Sequence, residues 1–204
     1  MKDKIFVSLF VVLTLIVMPI DGSLVRVIRD VKAAGGIVTD IFALFIPLAT
    51  FFGHGATIAM LGLCLFIAGR ISKRLHIVFV GKMILICYIF SGITVQVLKH
   101  LLGRARPRLT DEIVFIGPSW LSGYDSFPSG HTAVVFCLAY VFSSYFKKYS
   151  VLFYALSSIA AIERFYNLSH FPSDVLAGIS TGMIVGMFIV HFNRDGRLAT
   201  RPID

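Results

Sequence analysis

The feature that most constrains this chain is a series of apolar runs, each about twenty residues long and therefore long enough to cross a bilayer as a helix. These runs lie at residues 4–20, 49–69, 76–98, 131–147, 150–167 and 173–192. The chain is 57% hydrophobic and 15% charged, with a mean hydropathy of +0.85, which excludes an ordinary soluble domain. We therefore predict an all-α polytopic membrane protein with six transmembrane helices in one bundle, residues 1–204 forming a single domain.

The first run follows Lys2 and Lys4 and has the composition of either a signal peptide or a transmembrane span. A cleavage site needs small residues at a fixed spacing, whereas here the polar sequence Pro19 to Ser23 follows the run. We interpret residues 4–20 as an uncleaved first span.

The connection between the first two runs has helical periodicity. Ser23 can cap a helix whose apolar residues share one face, while its basic residues lie elsewhere. The apolar residues are Leu24, Val27, Ile28 and Val31. This pattern predicts an interfacial helix in the headgroup layer, although a polar connector fits equally well. Gly35 and Gly36 end it, and Ile37 to Leu48 is either a second interfacial helix or an early start of the next span.

Basic residues in the connections predict the orientation of the chain. With six spans, one side carries Lys2, Lys4, Arg70, Lys73, Arg74, Lys147, Lys148, Arg194, Arg197 and Arg201. The positive-inside rule makes that side cytoplasmic and places both termini there. The periplasmic or extracellular side of the plasma (inner) membrane then carries residues 99–130 and 164–174. The net charge of +8 is distributed between apolar runs, so we expect a lipid bilayer as the partner and no nucleic acid.

All three cysteines, Cys64, Cys87 and Cys137, lie inside apolar runs. We interpret them as small hydrophobic residues, neither disulfide partners nor metal ligands.

Three polar segments lie at the predicted outer ends of the spans. They are Lys99-His-Leu-Leu-Gly-Arg-Ala-Arg-Pro107, Phe127-Pro-Ser-Gly-His-Thr132 and Glu163-Arg-Phe-Tyr-Asn-Leu-Ser-His-Phe-Pro-Ser-Asp174. Ionisable groups are costly at membrane depth, so a cluster of them on one side indicates function.

The three segments contain the groups that phosphoryl transfer requires: cations, a nucleophile and an acid. Lys99 and Arg106 are seven residues apart, so both can point the same way if the third span extends past the membrane edge. Ser129 and Gly130 precede an apolar run, which puts their amides at a helix N-terminus, where anions bind. Asp174 follows His170 by four residues and can accept a proton from one ring nitrogen, which frees the other as a nucleophile.

Together the segments resemble the three-part signature of the phosphatidic acid phosphatase type 2 superfamily. The signature reads Lys, six residues, Arg-Pro; then Pro-Ser-Gly-His; then Ser-Arg, five residues, His, three residues, Asp. Every position matches except Glu163, which stands where the family has serine. The small size of the chain resembles bacterial members of this family.

The resemblance implies a role for each matching residue. His170 is expected to attack phosphorus and form a phosphohistidine, Asp174 to orient it, and His131 to protonate the leaving lipid oxygen. The phosphoryl oxygens are expected to contact Lys99, Arg106, Ser129, Gly130 and Arg164. The family works without a metal ion or other cofactor, and the expected partner is a membrane lipid phosphate.

Several charged or aromatic residues lie beside the signature. Glu163 can pair with Arg164, repel a phosphate, or do neither, and we favour the pairing. Arg104, Arg108 and His100 can meet a second phosphate of the substrate or simply solvate the loop. Trp120 and Tyr124 fit an interfacial aromatic belt or a lipid entrance.

The resemblance implies a lipid phosphatase but leaves its substrate open. Candidates are undecaprenyl diphosphate, phosphatidylglycerol phosphate, phosphatidic acid and lipid A. Two alternatives are a lipid-to-lipid phosphotransferase and a non-catalytic lipid-phosphate binding or transport protein. The oligomeric state is not predicted.

Overall fold

The computed structural model describes residues 2–194, and these residues form helices joined by turns and one long loop. The helices are α1 (Lys2–Val17), α2 (Asp21–Ala34), α3 (Ile37–Gly53), α4 (Gly55–Ile71), α5 (Leu75–Leu102), α6 (Gly130–Tyr145), α7 (Ser150–Tyr166) and α8 (Pro172–Arg194). Short 3₁₀ turns connect α1 to α2 and α6 to α7. The all-α prediction agrees with the described part of the chain.

Three helical stretches are long and apolar enough to cross a membrane, namely Asp3–Ala34, Leu75–Leu102 and Pro172–Asn193. Helices α4 and α6 are apolar but shorter. Many large apolar side chains face outward, among them Leu15, Met60, Ile93 and Val151, which are 60–83% exposed. Such a surface is stable in lipid and not in water, so the chain is a membrane protein.

Helix α2 begins at Asp21, directly after the 3₁₀ turn, so the expectation that Ser23 caps it is wrong. The helix contacts the outer loop through Arg29, whose guanidinium lies 2.5 Å from Asp111 and 2.6 Å from the carbonyl of Pro107. Lys32 Nζ donates to the carbonyl of Tyr166 at 3.3 Å. These contacts attach α2 to the loops that follow α5 and α7.

Residues 37–71 form two helices, because the chain breaks at His54, which has extended backbone angles. The predicted span at 49–69 therefore combined the end of α3 with most of α4. Of the two interpretations of Ile37 to Leu48, a helix separate from the next span is the one observed. Pro47 lies inside α3 without ending it.

The core of the bundle is built on the contact between α6 and α8, which is lined by glycines. A Cβ on Gly178 would lie 2.7 Å from the carbonyl oxygen of Ser129, and one on Gly182 would lie 2.2 Å from that of Ala133. Gly186 continues the row and faces Tyr140. Small residues at four-residue spacing allow helix backbones to approach closely in a membrane. This close approach brings the N-termini of α6 and α8 together.

The cysteines pack as predicted for small apolar residues. Cys87 and Cys137 are free and buried in the cluster that joins α5, α6 and α8, and Cys64 is free and exposed on α4.

The long loop between α5 and α6 starts at Gly103, which has a left-handed conformation (φ 58°) and ends α5. A side chain is excluded here, because a Cβ would lie 2.1 Å from the carbonyl oxygen of Gly117. The loop folds back on itself through the hydrogen bonds from Ile116 N to Gly103 O and from Ala105 N to Val114 O. It therefore covers the end of the bundle where α5 ends and α6 and α8 begin.

Candidate active site

The three polar segments converge at one end of the bundle. Lys99 lies in the last turn of α5, His131 in the first turn of α6, and the turn between α7 and α8 carries His170. The backbone amide of Ser129 donates to the carbonyl of Asp174 at 2.9 Å, which joins the starts of α6 and α8.

His170 is buried, with 3% of its surface exposed. Its Nδ1 lies 2.7 Å from the carbonyl oxygen of Ser126 and 3.6 Å from a carboxylate oxygen of Asp174. A carbonyl can only accept, so Nδ1 carries the proton and Nε2 keeps its lone pair. The nearest acceptor is thus the Ser126 carbonyl, and the Asp174 carboxylate is the second polar neighbour of the same nitrogen.

The protonation of His170 is set by burial and by neighbouring charges. Burial lowers the pKa of the imidazole below its usual value, and the cations Lys99 and Arg106 act in the same direction. The carboxylate of Asp174 opposes this shift without cancelling it. His170 is therefore neutral at neutral pH.

Asp174 is fully buried and anchors the surrounding chain. Its carboxylate accepts from Ser126 Oγ (2.5 Å), the amide of Phe171 (2.8 Å) and Arg104 Nη1 (2.5 Å). Asp174 therefore holds Ser126, whose carbonyl accepts from His170, and Phe171, which follows His170 in the chain.

Arg104 is completely buried and connects three parts of the chain. It donates to Asp174, to Ser173 Oγ (2.7 Å) and, through Nη2, to Asp21 at the start of α2 (2.7 Å). Its guanidinium stacks on Phe171, 4.4 Å from the ring centroid. The expectation that Arg104 meets a second phosphate or solvates the loop is wrong. Its guanidinium is buried and donates to the carboxylates of Asp174 and Asp21.

His131 is partly buried, and its Nε2 is buried without a hydrogen-bond partner among the described residues. The side chains of Arg164, His170, His54 and Lys99 are close enough to act on it electrostatically. The ring of His54, at the break between α3 and α4, lies 5.8 Å from the ring of His131. Nε2 of His131 is therefore available to a ligand at a position close to the cations Arg164 and Lys99.

Lys99 and Arg106 meet at one carboxylate, that of Asp125. Arg106 donates through Nε (2.8 Å) and Nη2 (2.7 Å), and Lys99 Nζ lies 3.8 Å away. The seven-residue spacing suggested that the two cations share one helix face. They do not, because α5 ends at Leu102. The loop fold brings them together instead.

Asp125 is ionised throughout the ordinary pH range. Burial acts to raise the pKa of its carboxyl, but the hydrogen bonds and charge of Arg106 and the charge of Lys99 outweigh this and lower the pKa to about 2.

Ser129 and Gly130 lie at the start of α6 as expected, with Ser129 at the N-cap position. The side chain of Ser129 accepts from Thr132 Oγ1 at 2.9 Å and does not cap the helix. A Cβ on Gly130 would lie 4.0 Å from Cε of Lys99, so this helix N-terminus is beside the lysine.

Arg164 is buried in the last turn of α7 and pairs with Glu163, the arrangement that we favoured. Glu163 also accepts from Thr50 Oγ1 (2.8 Å) and from Asn167 Nδ2 (2.5 Å). Arg164 Nη2 reaches the same Thr50 hydroxyl at 3.4 Å. The pair therefore attaches α3 to the end of α7.

Arg108 and Trp120 lie on the exposed face of the outer loop, Trp120 being 87% exposed. The ring of Trp120 contacts His100, with 3.8 Å between centroids. His100 and Trp120 therefore form an aromatic pair at the surface.

Six residues of this region were missed from the sequence: Asp21, Thr50, His54, Asp125, Ser126 and Ser173. Asp21 and His54 carried a signal, since each is an ionisable residue beside long apolar runs. Asp125 and Ser126 directly precede the Phe127-Pro-Ser-Gly-His segment and had no signal of their own. Within residues 2–194, no group of three or more His, Cys, Asp or Glu side chains has the arrangement of metal ligands.

An apolar cavity of about 670 Å³ opens between α3, α4, α5, α6 and α7. Its lining includes Phe45, Ile84, Val135, Phe142 and Ala160. Among the described lining residues, Ser157 contributes the one hydroxyl side chain and the others are apolar. The cavity has the character of a site for a hydrocarbon chain.

Comparison with known proteins identifies relatives among bacterial lipid phosphatases. The lipid A 1-phosphatase of Rhizobium johnstonii is 31% identical over 149 residues, covering 66% of this chain and 61% of the relative. That of Rhizobium etli is 30% identical over 149 residues, with 66% and 64% covered. The chain thus spans less than two thirds of the length of either relative.

The fold is that of a solved membrane protein, a PAP2-type phosphatidylglycerolphosphate phosphatase from Bacillus subtilis. The TM-score is 0.64 at 19% identity, with 96% of this chain and 98% of the other covered. A sequence model of the PAP2 superfamily matches residues 81–197, which include all three polar segments. The chain therefore belongs to the PAP2 superfamily.

Proposed function

We propose that the chain removes a phosphate group from a membrane lipid through a phosphohistidine on His170. One observation carries the proposal: the hydrogen bond from Nδ1 to the Ser126 carbonyl leaves the lone pair on Nε2. Asp174 acts one step removed, by holding Ser126 and Phe171 and by placing a negative charge 3.6 Å from the ring. That charge stabilises the imidazole as it becomes positive during attack.

In the first step, Nε2 of His170 attacks phosphorus, and the N–P bond forms as the bond from phosphorus to the lipid oxygen breaks. His131 transfers its proton to the departing oxygen. In the second step, His131 takes a proton from water and the water oxygen attacks phosphorus. The N–P bond breaks, its electron pair returns to Nε2 of His170, and inorganic phosphate leaves. The unpartnered Nε2 of His131 supports this role, because a polar atom buried without a partner is costly unless a ligand uses it.

The phosphoryl oxygens are held by cations and by the start of α6. Nη1 of Arg106 and Nη1 of Arg164 make no hydrogen bond to any described residue, so each can donate to phosphate. Lys99 adds a point charge beside Gly130. These groups supply positive charge without a metal ion, which is the basis for proposing a metal-independent reaction.

In the membrane, we place α1, α4, α5, α6, α7 and α8 as six spans of one domain and α2 as an interfacial helix. The positive-inside rule puts the active site on the periplasmic or extracellular face of the plasma membrane and both termini in the cytoplasm. The cavity between α3 and α7 accommodates the hydrocarbon chain of the lipid.

For the substrate, we propose lipid A phosphate first, because two relatives at 30–31% identity are lipid A 1-phosphatases. Undecaprenyl diphosphate, phosphatidylglycerol phosphate and phosphatidic acid complete the panel. A lipid-to-lipid phosphotransferase would consume the same substrates without releasing inorganic phosphate, so measuring both products separates the two reactions.

The test is phosphate release from this panel in detergent by the wild type and four histidine variants. His170→Ala and His131→Ala are expected to abolish release, while His76→Ala and His191→Ala, on the opposite side, retain it. Turnover by His170→Ala would refute the phosphohistidine mechanism. If no lipid is turned over by the wild type but lipid phosphates bind, the chain is a binding protein.

A further inference from the structure

Each cation of the site contacts a carboxylate. Lys99 and Arg106 share Asp125, Arg164 pairs with Glu163, and Arg104 bridges two buried aspartates, Asp21 and Asp174. Four cations therefore face four carboxylates. A phosphate dianion enters a site in which positive charge is concentrated locally but balanced overall.

Asp125 differs from the other carboxylates in its exposure. Its side chain is 42% exposed, whereas the side chains of Asp21 and Asp174 are fully buried and that of Glu163 is 3% exposed. A partly exposed ion pair contributes little to stability, because solvent screens it. Asp125 lies at the rim, on the two cations proposed to receive the phosphoryl group.

The loop around Asp125 is held by its backbone. The amide of Ser126 donates to the carbonyl of Arg104 at 3.0 Å, and the amide of Arg106 donates to that of Gly123 at 2.9 Å. Neither bond uses the Asp125 carboxylate. The carboxylate is thus available for a role other than fixing the loop.

The carboxylate occupies two of the three nitrogens of Arg106, Nε and Nη2, which form the flat edge best suited to a phosphate. A phosphate can accept from the free Nη1 of Arg106, but it gains the two-donor edge only by displacing Asp125. Competition of this kind weakens binding of every phosphate species that relies on these donors, including the inorganic phosphate product.

We propose that Asp125 is an internal competitor for Lys99 and Arg106 that weakens the binding of phosphate and so promotes release of the inorganic product. This inference rests on the proposed function, because it assumes that Lys99 and Arg106 hold the phosphoryl group. Asp125 acts through these cations and makes no contact with the reacting atoms.

The test measures inhibition by inorganic phosphate and by orthovanadate, with formation of the dephosphorylated lipid as the readout. Asp125→Asn keeps the size of the side chain and removes its charge. We expect its inhibition constants for both anions to fall by roughly five- to tenfold, the effect of losing one partly exposed competing charge. We also expect KM for the lipid phosphate to fall and kcat to fall with it, because product release, a step that limits turnover in many enzymes, slows.

The control is Asp111→Asn, which removes a carboxylate of the same loop that pairs with Arg29, outside the site. Its inhibition constants are expected to match the wild type. Unchanged or raised constants in Asp125→Asn would overturn the inference, since a carboxylate that only orients Arg106 would weaken anion binding when lost. Asp125→Ser provides a second variant, and a large drop in melting temperature in both would show a structural role and also overturn it.

A separate result tests the underlying function. If Arg106→Ala keeps wild-type turnover, or orthovanadate does not inhibit the wild type, the phosphate-binding role of Arg106 fails and the proposed function must be revised. If Arg106→Ala is inactive while Asp125→Asn binds both anions no more tightly than the wild type, only the inference about Asp125 fails.

Discussion

Arg104 donates a hydrogen bond to Asp21 across 83 residues of sequence, and neither side chain has any exposed surface. The same guanidinium contacts Asp174, so one buried cation connects the start of α2 to the start of α8. Helix α2 therefore belongs to the support of the active site.

Replacing Asp21 by Asn is expected to destabilise the protein, because Arg104 then keeps a buried charge with one of its two carboxylates lost. Breaking a buried ion pair costs about 3–5 kcal/mol, and the second carboxylate reduces this toward the lower end. Thermal unfolding in detergent provides the measurement. Asp30→Asn, on the exposed face of the same helix, is the matched control and should unfold like the wild type.

The pH dependence of kcat/KM follows from the lowered pKa of His170. As the proposed nucleophile, His170 is inactive when protonated, so the acid limb should lie below the usual histidine value of about 6.5. Asp174 opposes the shift, so Asp174→Asn should move the limb of the residual activity to still lower pH. A limb above pH 7 in the wild type, or a shift to higher pH in the variant, would contradict this assignment.

Glu163→Gln should lower both stability and activity, because Glu163 is buried and accepts from Arg164, Thr50 and Asn167. We expect a loss of about 3 kcal/mol from the unpaired arginine and a rise in KM as Arg164 loses its orientation. Melting temperature and steady-state kinetics test this against Glu112→Gln in the exposed outer loop. A variant with wild-type stability would contradict this prediction, since it would show that the Glu163 carboxylate contributes no stability.

Filling the apolar cavity should act on the lipid tail and spare the chemistry. Ala160→Phe adds a ring to the cavity wall, so KM for a long-chain lipid phosphate should rise while that for a short-chain soluble phosphate ester stays the same. Ala56→Phe adds the same ring to an exposed position of α4 and serves as the control. An equal rise for both substrates would indicate general distortion of the fold.

Gly182→Ala should be strongly destabilising, because its new Cβ would lie 2.2 Å from the carbonyl oxygen of Ala133 and would force α8 away from α6. Gly92→Ala makes the same change in α5 where no atom lies within 4 Å. Since alanine favours helix over glycine, this control is expected to be neutral or stabilising by about 0.5–1 kcal/mol. Comparing their melting temperatures separates helix contact from helix propensity.

The helices and the three polar segments could be predicted because their signals are local. A run of apolar residues of membrane-spanning length favours a helix in a bilayer, and each polar segment follows or precedes such a run at the same end of the bundle. The adjacent pair Glu163 and Arg164 could be predicted, but the long-range polar contacts of Asp21, Asp125 and Thr50 could not, since these residues find their partners only after distant segments fold together. Two boundaries failed for local reasons: Gly103 ends α5 before Arg106, and His54 breaks an apolar run that continues on both sides.

The glycine row of α8 has a consequence for how inherited or engineered changes in this protein are interpreted. Gly178 packs against the carbonyl of Ser129, and the amide of Ser129 donates to the carbonyl of Asp174 in the first turn of α8. The packing of α8 against α6 inside the membrane and the position of the candidate site therefore depend on the same helix contact. A methyl group added well below the headgroups would tilt the two histidine-bearing segments relative to each other. Such a change would be recorded as loss of catalysis even though no polar atom had been touched.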